Sequence, residues 1–466
     1  MKSVALHNLG CKVNAYEIEV MQQNLQESGF EIVPFDSEAD IYIVNTCTVT
    51  NIADRKSRQM LHRAKHRNPD AVVVAVGCYV QTGAERVKED SCIDLAVGNN
   101  RKKDIANILK AFLKEREEGK QSGTASDIID IASTCEYEDM TLSRTAEHTR
   151  AYIKVQDGCN QFCSYCIIPF ARGRVRSRKA EEVLEEIRKL AKEGYREVVL
   201  TGIHLSSYGM DFLGEAGGDY LTGGGDLRQK AMERGFLISL IEAIAGIDGI
   251  ARIRLGSLEP RIITEEFAGR LAAAKKVCPH FHLSLQSGCD ETLKRMNRHY
   301  TAGEYYEKVK ILRRHFENPA ITTDVIVGFP GETEEEFEQT RAFLEKVRFF
   351  EMHIFKYSRR KGTAADRMEG QLTDAVKTAR SAELLSLEAR QSVDYRASYI
   401  GKEVEILTEE KKEINGKTYW IGHTPTYVRA AFEADRNGEL SPNRLCRGLV
   451  TGFLTDEIVS LNFCRK

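Results

Sequence analysis

No stretch of this chain approaches the roughly 18 consecutive apolar residues that a membrane span needs. Nothing at its start resembles an export signal, since Met1-Lys2 passes straight into a strand-like Val4-Ala5-Leu6 and then Gly10-Cys11. There is no global basic field either: 67 Lys and Arg stand against 69 Asp and Glu, a net charge of −2. Any contact with nucleic acid must therefore rest on local basic clusters. These absences point away from membrane and secreted classes, and the expected setting is cytoplasmic with no membrane partner. Twelve cysteines in such a chain argue for reduced thiols and metal ligation rather than disulfides. The 466 residues, 42% hydrophobic and 29% charged, fit a soluble protein of about three domains.

The cysteines are not scattered evenly. Cys159, Cys163 and Cys166 form a C-x3-C-x2-C run, with no fourth cysteine or histidine close by. Zinc is the competing reading, but a structural zinc site closes with four ligands, often as two C-x2-C pairs. An electron-carrying iron–sulfur cluster is likewise usually closed by four cysteines. Three thiolates hold three irons of a 4Fe-4S cube and leave the fourth open to a small molecule. This spacing, with the aromatic Tyr165 before the last cysteine, resembles the signature of radical S-adenosylmethionine (radical SAM) enzymes. That resemblance implies that the open iron chelates S-adenosylmethionine, whose cleavage releases a 5′-deoxyadenosyl radical.

The first hundred residues alternate strand and helix. Strands are expected at Ser3–His7, Asp40–Asn45 and Ala71–Val76, and helices at Ala15–Ser28 and Ile52–Arg67, the second capped by Thr50 or Asn51. This is an α/β, flavodoxin-like open sheet. Each of the three strands leads into a cysteine: Cys11, Cys47 and Cys78. Ligands of open parallel sheets bind at the carboxyl ends of the strands, so these three can converge into a second three-cysteine site. The plainer alternative is three small buried hydrophobes.

A polar stretch, 111–148, reads as a helix tail and linker after an N-terminal domain of 1–110. A new βα series then runs through 149–370. Its strands are expected at Ala151–Gln156, Glu197–Gly202, Arg252–Leu258, His282–Gln286, Thr322–Val327 and Phe350–Tyr357, with helices between them that include Phe236–Ala245 and Glu334–Val347. Six such units make a partial parallel (β/α)6 barrel, with its active edge at the carboxyl ends of the strands. Thr201 and Gly202, Ser257, Glu259 and Gln286 sit at those ends and are, with Tyr165, candidate S-adenosylmethionine contacts; turn formation is the alternative. Gly209–Gly235, with eight glycines, interrupts the series as a surface insertion or a lid. A helical connector, 371–398, precedes short strands over 399–466 that suggest a small β-barrel. That module carries ten Lys/Arg and ten Asp/Glu, so its charge alone does not argue for RNA. Two basic clusters do. One contains Arg55, Lys56, Arg58 and Arg63; the other contains Arg172, Arg174 and Arg176. Phosphate contact is a common use of such arginines, and a solvated face is the alternative. Cys92, Cys135, Cys278, Cys289, Cys446 and Cys464 read as packing or surface thiols.

Leu9-Gly10-Cys11-Lys12-Val13-Asn14, Asn45-Thr46-Cys47, Gly77-Cys78 and the Cys159 motif together resemble the methylthiotransferases of the radical SAM superfamily. The likeness spans essentially the whole chain, including a C-terminal module similar to the RNA-binding TRAM barrel. Gly10-Cys11-Lys12-Val13-Asn14 looks most like the branch acting on N6-threonylcarbamoyladenosine at tRNA position 37; the isopentenyladenosine branch usually reads Gly-Cys-Gln-Met-Asn. The resemblance implies two 4Fe-4S clusters. Cys159, Cys163 and Cys166 would hold the one that cleaves S-adenosylmethionine; Cys11, Cys47 and Cys78 would hold an auxiliary one that carries the sulfur. It also implies tRNA and a reductant protein such as flavodoxin or ferredoxin as partners. Methylthiolation of isopentenyladenosine or of a ribosomal-protein aspartate is the nearest alternative. A non-catalytic, metal-bound RNA-binding protein is the alternative from another class.

Overall fold

Residues 1–120, 123–143, 149–213, 225–434 and 440–463 are described in the computed structural model. Short runs of Val, Ile and Tyr build the first sheet. Its strands are β1 (Ser3–Asn8), β2 (Glu31–Val33), β3 (Ile41–Thr46), β4 (Val72–Gly77), β5 (Leu95–Val97) and β6 (Ala125–Asp127), all parallel in the order β2-β1-β3-β4-β5-β6. Every residue of β3 and β4 is buried, as a parallel strand covered on both faces requires. Ile43 and Val74 face one core with Tyr16, Val20 and Leu25 of the helix Lys12–Glu27. Val44 and Val73 face the other core with Leu61 and Ala64 of the helix Asn51–Arg67. Thr50 caps that second helix, accepting from the Ala53 amide at 3.1 Å.

The 111–148 stretch departs from the linker that its polarity suggests. It supplies β6 at the sheet edge, and Met140 and Leu142 enter the first core. A three-residue strand and two isolated apolar residues carry too little periodicity to stand out from a polar background.

The central domain contains β7 (Arg150–Asp157), β8 (Arg176–Ser177), β9 (Glu197–Gly202), β10 (Arg252–Leu255), β11 (His280–His282), β12 (Ala320–Val327) and β13 (Glu351–Lys356). Six of these run parallel, in the sets β7-β9-β10 and β11-β12-β13, joined by the bridges Ile253↔Val277 and Leu258↔Leu283. The short β8 pairs antiparallel with β7. Alternation along the strands divides two faces. Ile153, Val198, Leu200, Ile253, Phe281, Ile321, Val325 and Met352 pack outward against the helices. The alternate residues face the lumen, and many are polar: Arg150, Lys154, Glu197, Thr201, Arg252, Arg254, His280, His282, Asp324 and His353. Such a lumen is built to hold a polar ligand.

Part of the glycine-rich insertion, 214–224, lies outside the described residues; Gly225–Arg234 is a helix. The helix Asp374–Ala397 leads to a closed five-stranded barrel of β14 (Glu403–Ile414), β15 (Lys417–His423), β16 (Arg429–Glu433), β17 (Leu445–Thr455) and β18 (Ile458–Phe463), in the order β14-β15-β16-β18-β17. Among the described residues no helix is long and apolar enough to cross a membrane.

Candidate metal centres

Cys11, Cys47 and Cys78 follow β1, β3 and β4, three neighbouring strands whose carboxyl ends share one edge. Gly10 is held at φ +111°, where a Cβ would lie 3.1 Å from Cys47 Cβ and 3.3 Å from its sulfur. The position therefore keeps the space between Cys11 and Cys47 clear. Ser57, buried on the helix Asn51–Arg67, accepts from the Cys47 amide at 3.2 Å and donates to its carbonyl at 3.0 Å. Burial pushes the Cys47 thiol up to about 11, and the thiolates of Cys78 and Cys11 add to the rise. The surrounding protein likewise raises the Cys11 thiol, although the residue keeps an exposed surface, while the Arg172 guanidinium opposes the rise. A cation bound among the three sulfurs would relieve that repulsion.

The second set lies in the loop after β7. Gly158, at φ +71°, has no room for a Cβ, which would meet the Arg174 carbonyl oxygen at 1.7 Å. Burial raises the Cys166 thiol far above its ordinary value, with Cys163 and Cys159 adding to it. Tyr165 packs beside Ile326 and Tyr357 on the lumen side.

The donor chemistry at both sites suits iron–sulfur clusters, whose sulfurs are typically hydrogen-bonded by N–H groups. Asn99 Nδ2 stands 3.5 Å from Cys78 Sγ, and the Gln161 amide 3.5 Å from Cys159 Sγ. An Arg298 amino group stands 3.3 Å from Cys163 Sγ. The Val49 and Ile168 amides serve Cys47 and Cys166. Arg298 and Asn99 escape sequence reasoning because they lie 135 and 21 residues from the sulfurs they serve.

The segments that carry the two sets pack together. The short helix Cys78–Thr82 packs against Ile168–Arg172, which directly follows Cys166. Asn99 joins them, bonding the Ala171 carbonyl at 2.7 Å as well as the Cys78 sulfur. Behind the pair lies a buried ionic cluster. Glu17 pairs with Lys102 at 2.5 Å, Lys154 at 2.7 Å and Arg172 at 2.6 Å. Asp157 pairs with Lys154 at 2.7 Å, Arg172 at 3.2 Å and Arg176 at 3.8 Å. Burial alone would raise the Glu17 carboxyl, but Arg172, Lys102 and Lys154 hold it well below the usual range.

This cluster corrects the expected phosphate role of Arg172 and Arg176. Both are completely buried; their charges are spent inside, joining the N-terminal sheet to the barrel. Arg174 is half-buried over the Phe162 ring at 4.5 Å. On the helix Asn51–Arg67, Arg55 and Lys56 are exposed and Arg58 is half-buried, whereas Arg63 bonds Asp36 at 2.6 Å on the surface.

The remaining candidates lie at carboxyl ends of barrel strands, on the edge that carries Cys159–Cys166. Thr201 is buried and Gly202 sits against Gln156. Ser257 is exposed. Glu259 accepts from Arg261 at 2.6 Å. Gln286, at φ +78°, bridges to β12 through its backbone.

Two family models match the chain: the radical SAM superfamily over residues 153–344 and the uncharacterized protein family UPF0004 over residues 3–98. A Bacillus subtilis protein described as threonylcarbamoyladenosine tRNA methylthiotransferase MtaB is 38% identical over 93% of this chain and 91% of its own length. The chain belongs to the radical SAM methylthiotransferases. A Carboxydothermus hydrogenoformans member of this methylthiotransferase group, described as tRNA-2-methylthio-N(6)-dimethylallyladenosine synthase, is 34% identical over 96% of this chain and 97% of that one. Among solved structures, the radical S-adenosylmethionine methyltransferase TsrM from Kitasatospora setae superposes with a TM-score of 0.54 at 17% identity, covering 78% of this methylthiotransferase and 77% of that chain. That likeness speaks for the fold.

Proposed function

We propose that this chain is a tRNA methylthiotransferase that adds a methylthio group to C2 of N6-threonylcarbamoyladenosine at position 37, using S-adenosylmethionine and two 4Fe-4S clusters. The observation that supports the reading is the packing of Cys78–Thr82 on Ile168–Arg172, which sets the helix that begins at Cys78 against the helix that follows Cys166. In the proposed arrangement Cys159, Cys163 and Cys166 hold the cluster that cleaves S-adenosylmethionine, and Cys11, Cys47 and Cys78 hold the auxiliary one. When bound, the first supplies radical generation and the second the sulfur. Adenine C2–H is neither acidic nor a leaving group, so side-chain acid–base chemistry offers no route to the product.

The chain's own task is to position and to shield. Arg298, Asn99 and the amides of Val49, Gln161 and Ile168 direct N–H groups at the sulfurs. The Glu17–Asp157 cluster holds the two walls in register, which a reaction between two sites demands. Tyr165, Thr201, Gly202, Ser257, Glu259 and Gln286 are proposed to bind S-adenosylmethionine along the strand ends. Arg55, Lys56, Arg58 and Arg174 are proposed to contact tRNA phosphates. The proposed setting is the cytoplasm, with a flavodoxin- or ferredoxin-type reductant.

Mass spectrometry of tRNA nucleosides from a deletion strain tests reaction and substrate together. Loss of the 2-methylthio form of threonylcarbamoyladenosine is expected; loss of the isopentenyl form instead would reassign the substrate. Cys163→Ala is expected to abolish reductive cleavage of S-adenosylmethionine. Cys47→Ala is expected to retain cleavage and lose sulfur insertion; methylthiolation by that variant would overturn the auxiliary-site assignment.

A further inference from the structure

Lys12 is the first residue of the helix Lys12–Glu27, directly after Cys11, and it is solvent-accessible. That helix packs against β7 and β9 and so covers the lumen from the N-terminal side. The Lys12 ammonium faces Arg254 and Arg150, which repel it, and the Cys11 sulfur and Glu197, which attract it, and it repels His280 in turn.

The neighbouring cations all have counter-ions. Arg254 Nε bonds Glu197 at 2.7 Å, and its amino groups donate to the carbonyls of Thr424 at 2.7 Å and Pro425 at 2.8 Å. Arg150 pairs with Glu409 at 2.7 Å. Arg252 pairs with Glu405 at 3.3 Å and Glu197 at 3.7 Å and donates to the His423 carbonyl at 2.8 Å. Glu197, Glu405 and Glu409 are thereby committed. Across the lumen Asp324 stands 3.2 Å from a His282 ring nitrogen, a contact that is an ion pair only when the imidazole is protonated. Among the described residues Lys12 makes no hydrogen bond and no ion pair. Lys12 is therefore a cation without an ion-pair partner, placed where an incoming anion would meet it.

We infer that Lys12 is a specificity-determining residue that pairs with the carboxylate of the threonylcarbamoyl group. This rests on the substrate reading given above. The threonylcarbamoyl chain ends in one ionised carboxylate, whereas a dimethylallyl chain is neutral and apolar. C2 and N6 share the Watson–Crick edge of adenine. A base whose C2 faces Cys11, Cys47 and Cys78 therefore carries its N6 substituent into the immediate surroundings of those cysteines, where Lys12 stands. A lysine provides a point charge on a flexible stem and can follow a carboxylate at the end of a rotatable chain. An apolar N6 chain would desolvate the ammonium and leave it unpaired, the kind of mismatch that gives the strongest discrimination.

The test uses the full chain with both clusters loaded and compares affinity and kcat/KM for the same tRNA bearing threonylcarbamoyladenosine or unmodified adenosine at position 37. Lys12→Gln is expected to lose the preference for the modified tRNA by about tenfold to a hundredfold, the range of a charge-assisted hydrogen bond. Lys12→Arg is expected to recover most of it, which a merely structural role would not produce. The wild-type chain should show the same loss on tRNA whose threonylcarbamoyl carboxylate has been converted to a neutral methylamide, a comparison independent of how the variants fold. Undiminished preference in Lys12→Gln, or for the methylamide in wild type, overturns the inference. Failure of the wild-type chain to methylthiolate threonylcarbamoyladenosine while modifying another nucleoside would instead overturn the substrate reading.

Discussion

Glu17 shows how much one side chain can carry. It is buried, and it pairs with Lys102, Lys154 and Arg172 at the seam between the two cysteine-bearing domains. Removing one member of a buried ionic set leaves the others uncompensated, at a cost of about 3–5 kcal/mol. Glu17→Gln is therefore expected to lower the midpoint of denaturant unfolding by that order. Its folded-state carboxyl is depressed, so the contribution is complete above the ordinary carboxylate range and is lost as pH falls toward the folded value. Acid unfolding of Glu17→Gln should accordingly depend less on pH than that of the wild type. Arg172 and Arg176 follow the same logic in reverse. In sequence they stand in a basic run without an acid, yet Glu17 lies 155 residues from Arg172 in the chain. Local charge patterning does not see a partner brought by folding.

The helix Asn51–Arg67 does three jobs that its periodicity only partly reveals. Ser57 fixes the backbone of Cys47. Asp54 pairs with Arg360 at 2.9 Å, and Asn51 accepts from Arg360 at 2.7 Å, tying the helix start to the segment after β13. The exposed side carries Arg55 and Lys56. Charge reversal of Arg55 and Arg58 is expected to weaken tRNA binding and to flatten its salt dependence by about 0.7–0.9 in logarithmic slope for each phosphate no longer neutralised. An unchanged slope in filter-binding titrations would remove this helix from the RNA footprint. Arg63 is a weaker candidate because Asp36 already neutralises it, although an exposed pair of this kind contributes little to stability.

At the scale of the whole molecule, one aromatic residue joins several groups at the seam between the central domain and the C-terminal barrel. Tyr427, in the turn between β15 and β16, stacks on His280 at 4.8 Å and on His423 at 4.5 Å. Arg150 and Arg254 lie over its ring at 5.1 and 4.6 Å. It adopts φ +70° to reach them, a conformation uncommon outside glycine. The C-terminal barrel thus plugs the end of the lumen opposite the cysteine loop. Tyr427→Ala is expected to cost about 1–3 kcal/mol through removal of the stacking and cation–π interactions, and to speed proteolytic release of the barrel near Ser398–Glu403 without unfolding it. Cleavage at the wild-type rate would count against Tyr427 as the anchor.

Periodicity was enough to read the α/β sheet, five of the six parallel barrel strands and the small β module, because hydrophobic alternation is a local property of the chain; the fourth barrel strand lies at His280–His282, ahead of the expected His282–Gln286, because three residues carry too little alternation to fix its bounds. Phe236–Ala245 and Glu334–Val347 match their expected helices end to end. Partnership between distant groups was decided by folding alone: Arg172 with Glu17, Arg298 with Cys163, Tyr427 with Arg254, and Lys12 with no counter-ion among the described residues. Charge and hydrogen-bond energies depend on separation in space and on burial, and neither is written in the order of residues until the chain closes on itself.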